Sequence, residues 1–187
     1  MIATRSELKK YLKADRARTE VGEWKRWLRG FLCREPYFRI WSYTKALRME
    51  EYHTGKRTTY HLFMHYYWRR RRNTLGERTG IFIEPGIFGE GLLVWHPGVV
   101  VNSRARVGKR CTLHGQNCIG NDGYSDEAPV LGDDVTLGVG SSVIGNVFLA
   151  DGITVGAGAV VLHSFREPGI TVGGIPARKI GEHGSVR

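Results

Sequence analysis

Aliphatic side chains recur at every sixth position through the second half of the chain. Steps of six from Val101 to Val161 give eleven positions, of which ten are aliphatic and one is Ser125. The position that follows is often small or turn-prone, as at Gly120 and Gly138. A helix repeats near 3.6 residues and a simple strand near two, so neither alone produces this spacing. A unit of six matches one short strand followed by one turn.

Three such units close a triangular coil, in which each aliphatic side chain points inward and stacks on the next coil. Connections between parallel strands are normally right-handed, but a hexapeptide pattern is the known signature of the left-handed exception. We therefore predict a mainly β chain, a left-handed parallel β-helix with an α-helical N-terminal segment. The alternative is a β-sandwich, whose strands alternate with period two and do not hold a six-residue register over this distance.

Two segments interrupt the repeat. Residues 121–130 keep the six-residue count but are polar, with three acidic residues, and we predict a protruding loop there. Residues 162–170 lengthen one step and end the regular coils. Loops that break a rigid scaffold commonly carry function.

The first eighty residues show helical spacing instead. We predict a first helix over 6–15 with Ser6 as its N-cap, and a second over 23–32 with an aromatic face. A third helix should begin at Pro36, because proline suits the first turn. A fourth should cover 61–72 and end before Gly76.

The chain should thus divide into a basic, aromatic-rich helical domain over 1–79 and a β-helix domain with a C-terminal tail over 80–187. Residues 1–80 hold 20 Lys or Arg against 8 Asp or Glu, a net of +12, whereas residues 81–187 hold 8 against 10, a net of −2. An electrostatic partner is therefore expected at the helical segment.

The run Arg69–Arg72 leaves two interpretations open. It is either a solvated helix end, where cations suit the dipole, or a contact with an anionic membrane surface or a lipid-linked phosphate. Nucleic acid is not expected as a partner, because no nucleic-acid-binding module is recognisable.

Three cysteines, without a CxxC pair, indicate reduced thiols in a cytoplasmic protein. The charged first thirty residues do not resemble a signal peptide, and the longest uncharged stretch, residues 135–150, is too short and glycine-rich to span a bilayer. We expect a cytoplasmic protein; the alternative is a protein that also contacts the inner face of the membrane peripherally.

With the hexads in place, five stretches resemble the serine acetyltransferase branch of the hexapeptide-repeat acyltransferases. They are IFIEPGIFGEGLLVWHPGVVVN, VGKRCTLHGQNCIG, APVLGDDVTLGVGSSVIGN, VGAGAVVL and VGGIPARKI. The helical preamble is similar to that branch too, particularly to relatives associated with capsular or exopolysaccharide synthesis. The resemblance implies an O-acetyltransferase that uses acetyl-CoA.

The same resemblance implies that His96 is the general base. A hydroxyl acceptor must lose its proton as it attacks the thioester, and histidine side chains ionise near neutral pH. A general base of this kind raises the reaction rate roughly 10²–10⁴-fold. His114 lies eighteen residues later and is expected to stack beside His96, where it orients the base or forms a structural corner. The family's orienting aspartate falls on Phe82, with Glu84 close by as a substitute.

The acceptor residues depart from the family pattern. Trp95 stands where an acid is usual, and Glu127 and Ala128 stand where an Arg-His pair is expected. We therefore take Trp95, Asp126 and Glu127 as acceptor-binding candidates. Because Glu127 would repel a carboxylate, we expect an acceptor other than L-serine.

By the same resemblance, acetyl-CoA should lie along the outside of the coils, between two subunits of a homotrimer or of a dimer of trimers. The matching cofactor-binding positions are Val139-Gly140 and Ala157-Gly158 along the coils, and Arg178 and Lys179 at the nucleotide phosphates. No metal is expected.

Four functions are considered. The first is acetylation of a sugar hydroxyl on a small-molecule or lipid-linked polysaccharide precursor, and the alternative is serine O-acetylation for cysteine synthesis. A γ-type carbonic anhydrase would need three clustered histidines for zinc, but His163 lies far from His96 and His114. The fourth function is that of a trimeric scaffold without catalytic activity.

Overall fold

The computed structural model describes residues 1–19, 24–33 and 35–184, with Trp24 described by its backbone only. Four helices precede thirteen short strands. The helices are α1 (Arg5–Ala17), α2 (Trp24–Leu32), α3 (Pro36–His53) and α4 (Thr59–Thr79). The strands are β1 (Leu93–Val94), β2 (Val100–Val101), β3 (Arg106–Val107), β4 (Thr112–Leu113), β5 (Cys118–Gly120), β6 (Val130–Leu131), β7 (Thr136–Leu137), β8 (Ser142–Ile144), β9 (Phe148–Leu149), β10 (Thr154–Val155), β11 (Val160–Val161), β12 (Thr171–Gly174) and β13 (Ala177–Gly181).

The strands form a left-handed parallel β-helix, which confirms the predicted fold class. From β1 to β11, each strand pairs with the third strand before or after it, so three sheets form the faces of a prism; β12 continues the first sheet beside β10, and β13 pairs with β12. Their orders are β1-β4-β7-β10-β12-β13, β2-β5-β8-β11 and β3-β6-β9. All pairs are parallel except β12 with β13, which run antiparallel.

The aliphatic ladder fills the prism. The side chains of Leu113, Ile119, Leu137, Val143 and Leu149 are fully buried, as the six-residue period predicts. Burying an aliphatic side chain of this kind contributes about 1.5–3 kcal/mol. Ser125, the exception in the period, lies outside the ladder between β5 and β6.

The polar interruption is an insertion of one whole unit. Strand partners in upper coils lie eighteen residues apart, as Thr136 and Thr154 do, but Thr112 and Thr136 lie twenty-four apart. The six additional residues form the predicted loop. The Asp122 carboxylate accepts hydrogen bonds from the backbone N–H groups of Ser125 and Tyr124, and these bonds lower its pKa.

The four helices lie where the sequence predicts them, but several of their first and last residues differ from the predicted ones. Thr4, rather than Ser6, is the N-cap of α1 and forms a capping box with Glu7. The predicted start of the second helix, Glu23, lies outside the described residues. The fourth helix continues through Gly76 to Thr79, because a residue without Cβ lets the Ile81 carbonyl approach; an added Cβ would lie 2.7 Å from that oxygen.

Buried ion pairs fix the helices to the coils. The Arg48 guanidinium is fully buried and donates to Asp15 at 2.8 Å and to the Phe88 carbonyl at 2.9 Å. Asp15 in turn accepts from the backbone N–H groups of Gly91 and Leu92. Side chains of α3 and of the coils share one hydrophobic core. Within the described ranges, no helix has the length and hydropathy needed to cross a membrane.

Candidate active site

One edge of the prism carries the residues assigned to the base and to donor binding. It is the edge where the chain passes from the sheet that begins with β1 to the sheet of β2, β5, β8 and β11. His96 lies there in the first coil, Val139-Gly140 in the third and Ala157-Gly158 in the fourth. Backbone bonds join successive turns: Gly140 N–H donates to Gly115 at 3.0 Å and Gly158 N–H to Val139 at 2.9 Å. We call this column the site edge.

The strand register moves His114 away from the expected position beside His96. Val94 pairs with Leu113, a separation of nineteen residues rather than eighteen. Gly115 therefore lies next to His96, and a Cβ added to that glycine would be 2.6 Å from the Cβ of His96. The register places Trp95 opposite His114. At the corner that carries His96, Val101 lies seven residues after Val94, whereas in the next coil Ile119 lies six residues after Leu113. Because of this extra residue, the prediction that His114 stacks beside His96 at an eighteen-residue spacing is wrong.

His96 is exposed and lies at the rim of a cavity of about 490 Å³. The cavity lies between α3 and β1, and its walls are largely apolar and aromatic. They include Tyr37, Ile40, Trp41 and Trp95. In the described part of the chain, no side chain hydrogen-bonds to the His96 imidazole. Within the described residues, the His96 ring therefore has no side-chain partner that orients it.

Glu84, the predicted orienting carboxylate, is engaged elsewhere. Its carboxylate accepts from Arg72 at 3.2 Å, and Arg72 is held by Glu50 at 2.6 Å. The isolated bridge between Phe82 and Val100 places Glu84 at the next edge of the prism, beneath Asn102. The structure therefore directs Glu84 to Arg72 and does not bring it to His96.

The backbone of the site edge is accessible at the predicted donor positions. Val139 is 47% exposed, and Ala157 and Gly158 are exposed as well. A Cβ added to Gly140 or Gly158 would meet no atom within 4 Å. Both glycines have positive φ, +70° and +66°, so turn geometry alone accounts for the residue type. The open surface beside them is a separate observation.

Arg178 and Lys179 lie on β13, at the upper end of the site edge. Gly173, which follows the partner of Val155 in β12, faces Arg178. Arg178 is exposed, whereas Lys179 binds Glu167 and Glu182, each at 2.8 Å. Hydrogen bonds to these two carboxylates raise the pKa of Lys179. Of the two cations, Arg178 is therefore better placed to meet a phosphate.

The acceptor candidates lie at two different edges of one chain. Trp95 adjoins His96, but Asp126 and Glu127 lie in the loop between β5 and β6, at the other side of the β2-β5-β8-β11 sheet. Asp126 pairs with Arg104 at 2.5 Å, and Glu127 bonds to Asn146. A single chain does not bring the loop to His96.

Two contributions were not found from the sequence. The buried Asn117 side chain accepts from the Gly115 N–H at 2.9 Å and donates to the Gly138 carbonyl at 2.7 Å, which supports the site edge from inside. The walls of Tyr37 and Trp41 come from a helix distant in sequence, and only the aromatic content of the front half indicated them. No group of metal-ligating side chains occurs within the described ranges.

Comparisons with known proteins were made by family model, by sequence and by structure. No family model matches the chain. A serine acetyltransferase of Synechococcus elongatus is 36% identical over 106 residues, 54% of this chain and 43% of the relative. One of Mycobacterium tuberculosis is 30% identical over 134 residues, 65% of this chain and 58% of the relative. The chain thus spans about half the length of these curated relatives.

Among solved structures, the serine acetyltransferase of Brucella abortus in complex with coenzyme A superposes with a TM-score of 0.68. It is 24% identical, and the match covers 96% of this chain and 68% of that chain. This likeness supports the fold. None of these three proteins is named for capsular or exopolysaccharide synthesis, and the finding contradicts our prediction of a sugar hydroxyl as the acceptor. The chain is similar to serine acetyltransferases, as the alternative prediction held.

Proposed function

We propose that the chain is a serine O-acetyltransferase that takes its acetyl group from acetyl-CoA. The observation that carries the proposal is the site edge: one exposed imidazole lies at the foot of a column of accessible backbone at Val139-Gly140 and Ala157-Gly158. The similarity to serine acetyltransferases supports serine as the acceptor.

In this proposal His96 acts as the general base. Its free ring nitrogen accepts the proton of the serine hydroxyl while the hydroxyl oxygen attacks the thioester carbonyl carbon. The imidazolium then returns the proton to the departing thiolate of coenzyme A. Backbone N–H groups at the site edge are suitable donors for the oxyanion that forms between these steps. Oxygen–carbon bond formation and carbon–sulfur bond cleavage give O-acetylserine and coenzyme A.

The donor fits the exposed backbone of the site edge. A pantetheine arm lies close to main chain only where side chains are small, and the turns at Gly140 and Ala157-Gly158 meet that condition. Arg178 offers a guanidinium for the nucleotide phosphates at the upper end. Lys179, already bound to two carboxylates, is a weaker candidate for that role.

We further propose that a trimer completes the acceptor site. In one chain the loop with Asp126 and Glu127 and the ring of His96 lie at different edges. A neighbouring copy packed edge to edge would bring its loop to His96, which accounts for a loop inserted without any change to the coils. Glu127 and Trp95 offer no cation for the carboxylate of serine, so we expect a high KM for serine.

The direct test measures both products. The purified chain is incubated with acetyl-CoA and L-serine; released thiol is followed with a chromogenic disulfide, and O-acetylserine is identified by mass spectrometry. We expect serine-dependent thiol release, reduced about 10²–10⁴-fold in kcat by His96→Asn. His163→Asn is the matched control and should retain activity. Absence of O-acetylserine from the wild type at saturating serine would refute the proposal.

A further inference from the structure

A second cavity, remote in sequence from the site edge, gathers three arginines. It has a volume of about 510 Å³ and lies among α2, α3 and α4. Arg39 of α3 and Arg71 and Arg78 of α4 line it, together with the rings of Phe31 and Phe38. We call it the arginine pocket.

The arginines of this pocket differ from the two buried arginines of the helical segment. Arg48 and Arg72 are buried, and both are neutralised by carboxylates. No carboxylate lines the arginine pocket, and in the described part of the chain none of its three arginines forms an ion pair. Three like charges held at one cavity without a counter-charge favour an external anion. Guanidinium groups match phosphate oxygens in particular, by bidentate hydrogen bonds.

Exposed aromatic rings lie beside the pocket on α2 and extend away from it along α4. On α2, Trp27 and Phe31 stack with ring centroids 5.7 Å apart, and Phe31 is 56% exposed. On α4, Tyr60, Phe63 and Tyr67 follow one another at helical spacing and lead to Arg71 on the same face. Phe63 is 69% exposed. A freely soluble phosphate would use the arginines but would leave these rings in water.

We infer that the arginine pocket binds the phosphate of an anionic lipid headgroup, while the exposed rings of α2 and α4 enter the interfacial region of the bilayer. Cationic side chains beside aromatic ones are the usual composition of a helix that lies in a membrane surface. A second copy of the chain is a poorer occupant, because a two-fold contact through this face would set the arginines of one copy against those of the other. The inference goes beyond the proposed acetyl transfer and does not depend on it.

The test is co-sedimentation of the full chain with vesicles. We expect binding to phosphatidylglycerol mixed with phosphatidylcholine, and none to phosphatidylcholine alone. Each arginine that lies next to the membrane surface contributes about fivefold to such partitioning, so Arg71→Gln with Arg78→Gln should weaken it about 25-fold. Arg5→Gln removes an exposed charge of α1 and is the matched control, expected to change binding little. Phe31→Ser with Phe63→Ser should weaken binding while every arginine is retained. Thermal unfolding of each variant checks that the fold is intact.

Three results would overturn the inference. The first is equal binding of the double arginine variant and the Arg5 variant. The second is full competition by millimolar inorganic phosphate with no loss in the aromatic variant, which would assign the pocket to a soluble phosphate compound. The third is concentration-dependent self-association that Phe31→Ser with Phe63→Ser abolishes while vesicle binding is absent, which would assign the face to a second copy. Serine turnover is unaffected by each of these, so failure here is distinct from failure of the proposed function.

Discussion

The coils and the helical segment are stabilised by different means. Inside the prism, aliphatic side chains such as Leu137 stack on one another, and almost every position follows from the period. At the junction with the helices, charged groups are buried beside the shared hydrophobic core: Arg48 meets Asp15 and Glu51, and Arg72 meets Glu50. The coils therefore depend on a repeated, interchangeable interaction, and the attached helices depend on a few individual ones. The two regions should respond differently to single substitutions.

The largest effect is expected at the junction. Asp15→Ala leaves Arg48 without its main counter-charge and leaves two backbone N–H groups, those of Gly91 and Leu92, without an acceptor. Breaking a buried ion pair costs roughly 3–5 kcal/mol, so the free energy of unfolding in urea, followed by circular dichroism, should fall by that amount. Arg104→Ala breaks an exposed pair with Asp126 and should change little. If both variants unfolded at the same urea concentration, the proposed contrast between the regions would be wrong.

The second-largest effect is expected for a buried aliphatic side chain inside the prism. Leu137→Ala removes a fully buried side chain from the middle of the prism and should lower the free energy of unfolding by about 2–5 kcal/mol. Val130 is 42% exposed, and Val130→Ala, which truncates a branched aliphatic side chain at the strand surface, is the control. Equal loss at the two positions in calorimetry would contradict the interior ladder as the source of stability.

Backbone conformation should matter equally in both regions. Gly80 ends α4 with φ of +65°, and Gly140 lies on the site edge with φ of +70°. Alanine in the left-handed region costs roughly 1–2 kcal/mol, and neither new Cβ meets an atom closer than 3.4 Å. Chemical denaturation of Gly80→Ala and Gly140→Ala should show similar losses. A difference well beyond that range would reveal a constraint other than φ.

The smallest expected effect depends on pH. Burial, and then the neighbouring His61, lower the pKa of His53 below the ordinary value of 6.5. The unfolded chain therefore binds a proton there more readily than the folded one, and stability falls as the pH drops below 6.5. Melting temperatures across this window should decline less in His53→Gln than in the wild type. An identical decline would show that other groups cause it.

The sequence determined most of the fold and only part of the site. The six-residue period placed Leu113 and Leu137 correctly, because a stacked coil allows one inward position per unit. The polar composition of residues 121–130 predicted the loop after Gly120, although the six-residue count continued through it. The same period misplaced His114 relative to His96, because one additional residue at the corner between Val94 and Val101 shifts the register. A regular repeat does not reveal where a corner widens.

The remaining errors come from long-range contacts. Glu84 was predicted to orient His96 because it lies close in sequence to the position of the family's orienting aspartate. Arg72, from a helix, binds the Glu84 carboxylate instead. The cavity walls of Tyr37 and Trp41 depend on how α3 packs against β1, which no local pattern specifies. The acceptor was mispredicted from Glu127, whose contact with Asn146 could not be seen in the sequence.

The loop after β5 has a consequence for how such a protein diversifies. Strands on both sides of it keep their partners, since Cys118 pairs with Ser142 and Val130 with Phe148 without any disturbance. The parallel coils thus accommodate the inserted segment at that corner without a change in strand pairing. Evolution, or a protein engineer, can exchange one loop for another at this corner while the strand pairing of the coils above and below it is preserved.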